Sequence, residues 1–172
     1  CDLIPVFSWV IRLGKCRYCK NFIGWTEILL EVAMAGLFVL SVVFWPGSLM
    51  DFWQVLLLAL WLSGLVLLAI LFVYDLRWLL LPDVINIPFI ILGFIFSIIN
   101  LALANNFTKS LMSLLGSVVI LSGIYLLLYL FSKYHYGEEK TWVGFGDVKL
   151  GLGLALFLGN WSLAFAALFA AN

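Results

Sequence analysis

The residues best placed to do chemistry lie in one stretch, Gly144-Phe145-Gly146-Asp147-Val148-Lys149-Leu150, where a polar loop gives way to an apolar run. An ionisable side chain entering a hydrophobic layer is costly and functional by default, which singles out Asp147. The two glycines before it permit backbone angles and a close chain approach that a Cβ forbids, so a substrate segment would pass near the acid. The same four residues also describe an ordinary helix start, with Gly146 in the turn and Asp147 as the N-cap. A second acid, Asp75, sharpens the choice. Two carboxylates about 3 Å apart cannot both ionise, so their pKa values split into an acid and a base. The base takes a proton from a water that attacks a carbonyl, while the acid polarises that carbonyl and protonates the leaving amine. Other nucleophilic or metal machinery is poorly represented: there is no G-x-S-x-G and no H-E-x-x-H, and the lone His135 sits in a polar stretch read as surface.

Composition says what must carry these acids. Of 172 residues, 66% are hydrophobic and 10% charged, against about 45 to 50% apolar in a soluble domain. With a mean hydropathy of +1.19, the chain reads as all-α, a multi-pass transmembrane helical bundle of about five to six membrane helices. Nine basic and nine acidic residues leave no net charge, which argues against a nucleic-acid partner. The chain opens at Cys1 and ends in an apolar run at Asn172, and is expected to be a piece of a longer protein, incomplete at its C-terminus. The domain division expected is a cytoplasmic loop over 1–26 and a transmembrane domain over 27–172.

The loop is the least apolar part and carries Cys16-Arg17-Tyr18-Cys19. Two such thiolates can share a zinc, but a structural site wants four ligands, so the pair is half a site or simply two reduced thiols. The apolar runs place membrane helices at about 27–45, 52–74, 84–104 and 111–131, then a short run over 148–158 that meets Gly159-Asn160 and either stops there or continues through 161–172. Glu27 and Glu31 share a face of the first helix at i and i+4 and repel, which invites a cationic partner or substrate, or marks interfacial acids. These crossings put Arg12, Lys15, Arg17, Lys20, Arg77, Lys133, Lys140 and Lys149 on one side and only Lys109 on the other. By the positive-inside rule the N-terminus and the loops at 75–83 and 132–147 are cytoplasmic, so Asp75 and Asp147 share one membrane depth.

The stretch Tyr74-Asp75-Leu-Arg-Trp-Leu-Leu-Leu-Pro82-Asp83, followed by Gly144-Phe145-Gly146-Asp147-Val148-Lys149-Leu150, resembles the bacterial type IV prepilin peptidases, which belong to the G-x-G-D aspartyl proteases. Asp2-Leu3-Ile4-Pro5-Val6-Phe7-Ser8-Trp9 and Gly14-Lys15-Cys16-Arg17-Tyr18-Cys19 are similar to the family's cytoplasmic loop. Carried over residue by residue, the resemblance implies Asp75 and Asp147 as the catalytic pair. It implies Gly144, Gly146, Lys149, Pro82, Asp83 and Glu31 as motif or supporting positions, and Cys16 and Cys19 as two of four zinc cysteines. It further implies an inner-membrane endopeptidase that needs no cofactor for proteolysis. Its substrates would be prepilins or pseudopilins, each with a basic leader, a glycine cleavage point and a hydrophobic helix in the bilayer. Methylation of the new N-terminus with S-adenosylmethionine is the family's second activity.

Two alternatives share the paired acids. A presenilin or signal-peptide-peptidase type of protease also carries Tyr-Asp and G-x-G-D, but its Pro-Ala-Leu motif is absent here. An ion-coupled transporter would use the pair as a proton relay, and needs the acids at mid-membrane rather than at one interface.

Overall fold

The computed structural model describes residue 15, residues 25–136 and residues 144–171. The chain divides into two compact units, Cys1–Pro46 and Gly47–Asn172. In the first unit, Trp25–Val43 forms helix α1. The cysteines Cys1, Cys16 and Cys19, the bases Arg12, Arg17, Lys20 and Lys140, and the side chain of Glu27 lie outside the described residues.

The second unit is a helical bundle: α2 (Phe52–Trp78), α3 (Asp83–Ala102), α4 (Phe107–Val118), a π-helical turn (Val119–Gly123), α5 (Ile124–Tyr136), α6 (Phe145–Leu158) and α7 (Trp161–Ala171). Among the described residues three helical stretches are long and apolar enough to cross a membrane: Phe52–Trp78, Asp83–Ala102 and the run Phe107–His135 through the π turn. Shorter apolar helices, Ile28–Val43 and Trp161–Ala170, accompany them. The protein is a multi-pass membrane helical bundle, as its composition requires.

The helix ends differ from those read in the sequence. Helix α2 runs past Tyr74 to Trp78, placing Asp75 inside its last turn. It stops where Leu79 turns left-handed (φ 48°), with the Leu79 N–H donating to the Asp75 carbonyl at 2.8 Å. Pro82, which disfavours helical geometry at the residue before it, then leads directly into α3. Helix α4 begins at Phe107, earlier than expected, so that Lys109 and Ser110 are already helical. Gly159 settles the ambiguity at the end of α6: it adopts φ 57° and caps the helix through its N–H to the Ala155 carbonyl. The short helix is the observed one.

The core is built around α6. Its glycines leave the room that membrane helices need for close packing, because lipid supplies no hydrophobic drive between them. The Phe89 ring of α3 fills the space beside Gly153, and the Phe157 ring lies over Gly64 of α2. Phe157 also stacks on Phe89 at 5.2 Å and meets Phe96 at 5.3 Å and Trp61 at 6.0 Å. Serine hydroxyls from the neighbours donate to α6 carbonyls: Ser97 to Leu156 at 2.6 Å, Ser117 to Ala155 at 3.0 Å and Ser122 to Val148 at 3.3 Å. The pairing order shows that α3 runs parallel to α6, while α4, the π turn and α5 run antiparallel to it. One end of the bundle therefore gathers the C-terminal end of α2 and the N-terminal ends of α3 and α6.

Candidate active site

Asp147 occupies the third position of α6, and the N-cap is Gly144 in extended geometry (φ −75°, ψ 149°). The Asp147 carboxylate turns back on this cap, its Oδ2 accepting from the Gly144 N–H at 2.9 Å. The ordinary reading of Asp147 as N-cap with Gly146 in the turn is thus corrected by three residues, the cap being Gly144. A negative group in the first turn suits the helix dipole.

Gly146 is helical, and the only positive-φ glycine among the described residues is Gly159. What Gly146 allows is a close approach by this chain itself: an added Cβ would stand 3.0 Å from the Cβ of Leu81. Leu81 lies in the short connection between α2 and α3, so the glycine admits the segment following Asp75 rather than an external peptide. The other motif glycine, Gly144, would meet the Asp147 carboxylate at 3.5 Å and the Gly146 nitrogen at 3.9 Å, both ordinary contacts.

The same connection ties down α6 twice more. Lys149 Nζ pairs with Asp83 Oδ1 at 2.7 Å and lies 5.2 Å from the centre of the Phe145 ring. Asn86, fully buried in the first turns of α3, donates its Nδ2 to the Gly146 carbonyl at 3.1 Å. Pro82 is the residue before Asp83 at the start of α3. The supporting positions Pro82, Asp83, Gly146 and Lys149 thus converge on one junction.

Asp75 is exposed at this end of the bundle. Its charge reaches Asp147, whose carboxyl is pushed above the ordinary carboxylate value of 3.8. Burial is the main cause, the Gly144 hydrogen bond opposes it, and repulsion from Asp75 adds to it. Asp147 stands in the first turn of α6, just before its apolar run. Two carboxyls close enough for the charge of one to raise the pKa of the other are the arrangement dyad chemistry requires.

Glu31 belongs to the first unit, and its Oε2 is shielded without a hydrogen-bond partner among the described residues. His135 is on the surface as expected, although in the last turn of α5 rather than in a loop, stacked on Phe131 at 4.7 Å. Among the described residues no group of three or more His, Cys, Asp or Glu could hold a metal.

The model of the type IV leader peptidase family matches residues 62–172, which spans both acids and more than half of the chain. The chain belongs to that family. The bacterial N-terminal domain of the same peptidase group matches residues 1–45. Among curated relatives, the prepilin leader peptidase/N-methyltransferase of Pectobacterium carotovorum subsp. carotovorum is 32% identical over 159 residues, covering 92% of this chain and 51% of the relative. Proteins of the same name from Neisseria gonorrhoeae (31% over 159 residues, 91% and 49%) and Aeromonas hydrophila (32% over 161 residues, 91% and 49%) are similar. The chain spans about half the length of the curated relatives it matches. No solved structure matches it.

Within this leader peptidase domain, Asn86 is the site residue that sequence reasoning passed over. Its signal was an amide one turn into an apolar helix, Asp83-Val-Ile-Asn86-Ile-Pro-Phe, and only the approach of α6 gives that amide a partner.

Proposed function

We propose that the protein is a membrane aspartyl endopeptidase that removes the basic leader from type IV prepilins or pseudopilins at the cytoplasmic face of the bacterial inner membrane. The observation that carries this reading is the charge interaction between Asp75 and a half-buried Asp147, whose pKa burial and that charge raise, at one end of the bundle. One carboxyl of the pair, protonated, polarises the scissile carbonyl, and the other, ionised, takes a proton from the attacking water. Because water is the nucleophile no covalent enzyme intermediate forms, and collapse of the tetrahedral intermediate passes the proton taken from that water to the leaving amine. The excess of Lys and Arg at the same end supports a cytoplasmic site, where a substrate's leader would lie while its hydrophobic helix stays in the bilayer.

The relatives' names add N-methyl transfer, and the same assay reads it separately as a methyl increment on the cleaved product when S-adenosylmethionine is supplied. Cys16 and Cys19 are soft thiolate donors suited to zinc, and supply two of the four ligands a structural site needs. Proteolysis is assigned no metal step, so Cys16→Ser with Cys19→Ser should retain peptide hydrolysis.

The test is cleavage of a prepilin by the protein reconstituted in liposomes, followed by mass analysis of the product. Asp75→Asn and Asp147→Asn should each lower cleavage by about 100- to 10,000-fold while insertion and folding persist. Substantial turnover by either variant sinks the dyad. Proton uptake into the same liposomes without proteolysis would favour the transporter alternative.

A further inference from the structure

Three contacts run from the segment just after the helix of Asp75 to the first turn of the helix of Asp147. Leu81 packs on Gly146, Asp83 pairs with Lys149, and Asn86 bonds the Gly146 carbonyl. The last of these is hard to explain by stability. The Gly146 carbonyl already has its i+4 helical N–H, so it does not need the amide. Asn86 in turn leaves its own Oδ1 buried with no partner among the described residues, which costs stability in an apolar bundle. A leucine of the same branched shape would carry no such penalty. What the amide supplies and leucine cannot is direction: it fixes one carbonyl, immediately before Asp147 in the chain, against α3.

We propose that Asn86, backed by the Asp83–Lys149 ion pair, is a positioning residue that holds the Asp147 carboxylate at its working distance from Asp75. It touches neither substrate nor reacting atoms. It acts through the Gly146 peptide, while the ion pair holds the next turn of the same helix. The two anchors lie three residues apart on each helix, Asp83 and Asn86 on α3 and Gly146 and Lys149 on α6. Between them they fix both the height and the rotation of the α6 N-terminus. The inference rests on the dyad reading above.

The test uses the reconstituted protein and a prepilin substrate, with kcat, KM, the pH profile and Tm measured for Asn86→Leu, Lys149→Met and Lys149→Arg. Asn86→Leu is expected to keep or raise Tm yet lower kcat about 10- to 100-fold with KM unchanged, as misplacement of a catalytic group does. Carboxylates that drift apart repel less, so the two apparent pKa values of its bell-shaped profile should draw together. Lys149→Met should lower kcat in the same manner, and Lys149→Arg, which keeps the ion pair, should restore it. Native kcat and an unchanged profile in Asn86→Leu overturn the proposal, as does a fall in Tm with kcat intact. Should Asn86→Leu fail to fold, native kcat in Lys149→Met overturns it instead. Failure of the dyad reading is distinguished in the same assay, because Asp75→Asn and Asp147→Asn would then remain active.

Discussion

Replacing Gly146 by alanine separates the position of Asp147 from its chemistry. The new Cβ would stand 3.0 Å from Leu81 Cβ, 3.4 Å from its Cδ1 and 3.7 Å from its Cγ. Apolar carbons rest at about 3.5 to 4.0 Å, so Leu81 and the first turn of α6 must part by at least about 0.5 Å. The backbone there is helical, so the substitution carries no conformational penalty, and alanine gains about 0.8 to 1.0 kcal/mol of helix propensity over glycine. That gain offsets much of the crowding, and thermal stability should hardly change. Activity should not follow stability. A displacement of about 1 Å in a catalytic group costs on the order of 100-fold, so half of it corresponds to about 10-fold in kcat. The assay is initial-rate cleavage of a prepilin in liposomes, with Tm measured on the same preparation. A native rate in Gly146→Ala would refute the reasoning and reduce the glycine to a replaceable helical residue. A rate loss matched by an equal loss of folded protein would refute it too.

Asp147→Asn should alter stability with a definite pH signature. The folded-state pKa of Asp147 is raised above the ordinary 3.8, so ionisation destabilises the native state as pH climbs through that window. The variant should therefore match the wild type below about pH 4, gain Tm relative to it as pH rises, and keep the gain at neutrality; denaturation scans at several pH values check this. Gly151→Ala places a Cβ 2.8 Å from the Leu121 carbonyl oxygen, a backbone atom that cannot swing aside. It should cost about 1 to 3 kcal/mol by overpacking, read as a lower Tm in detergent. Leu79, left-handed and 87% exposed, carries about 1 to 2 kcal/mol of conformational strain. Leu79→Gly should relieve it against glycine's entropic cost of about 0.5 to 1 kcal/mol, giving a small rise in Tm.

The class of the protein and the two acids were legible because they depend on local facts: apolar length, a charge at the edge of an apolar run, and the asymmetry of lysine and arginine. Helix ends were less so. Tyr74-Asp75-Leu-Arg77 reads as a polar exit, yet a helix continues through charged residues until the backbone is stopped, here at Leu79 and then Pro82. The polar residues 105–110 likewise conceal the start of α4, whose first turn is helical despite Thr108 and Lys109. Gly146 was legible as a close approach, but not what approaches, since Leu81 is 65 positions away and no local pattern encodes that meeting. Asn86 and the serines on α6 carbonyls were invisible for the same reason. Each is an unremarkable polar residue until a neighbouring helix supplies its partner.

The π turn at Val119–Gly123 divides one long membrane rod into two that are out of phase. Each residue of an α-helix turns the face by about 100°, so one surplus residue changes by that much the side on which everything downstream emerges. Above the turn, Ser117 addresses the Ala155 carbonyl; below it, Tyr129 meets the Phe145 ring at 5.5 Å, beside the start of α6. Both engagements with α6 depend on that surplus. Deleting one residue between 119 and 123 would remove little volume and leave α4 seated, yet it would swing α5 as a crank and carry Tyr129 off Phe145. Chain length at this turn is therefore under tighter constraint than side-chain identity.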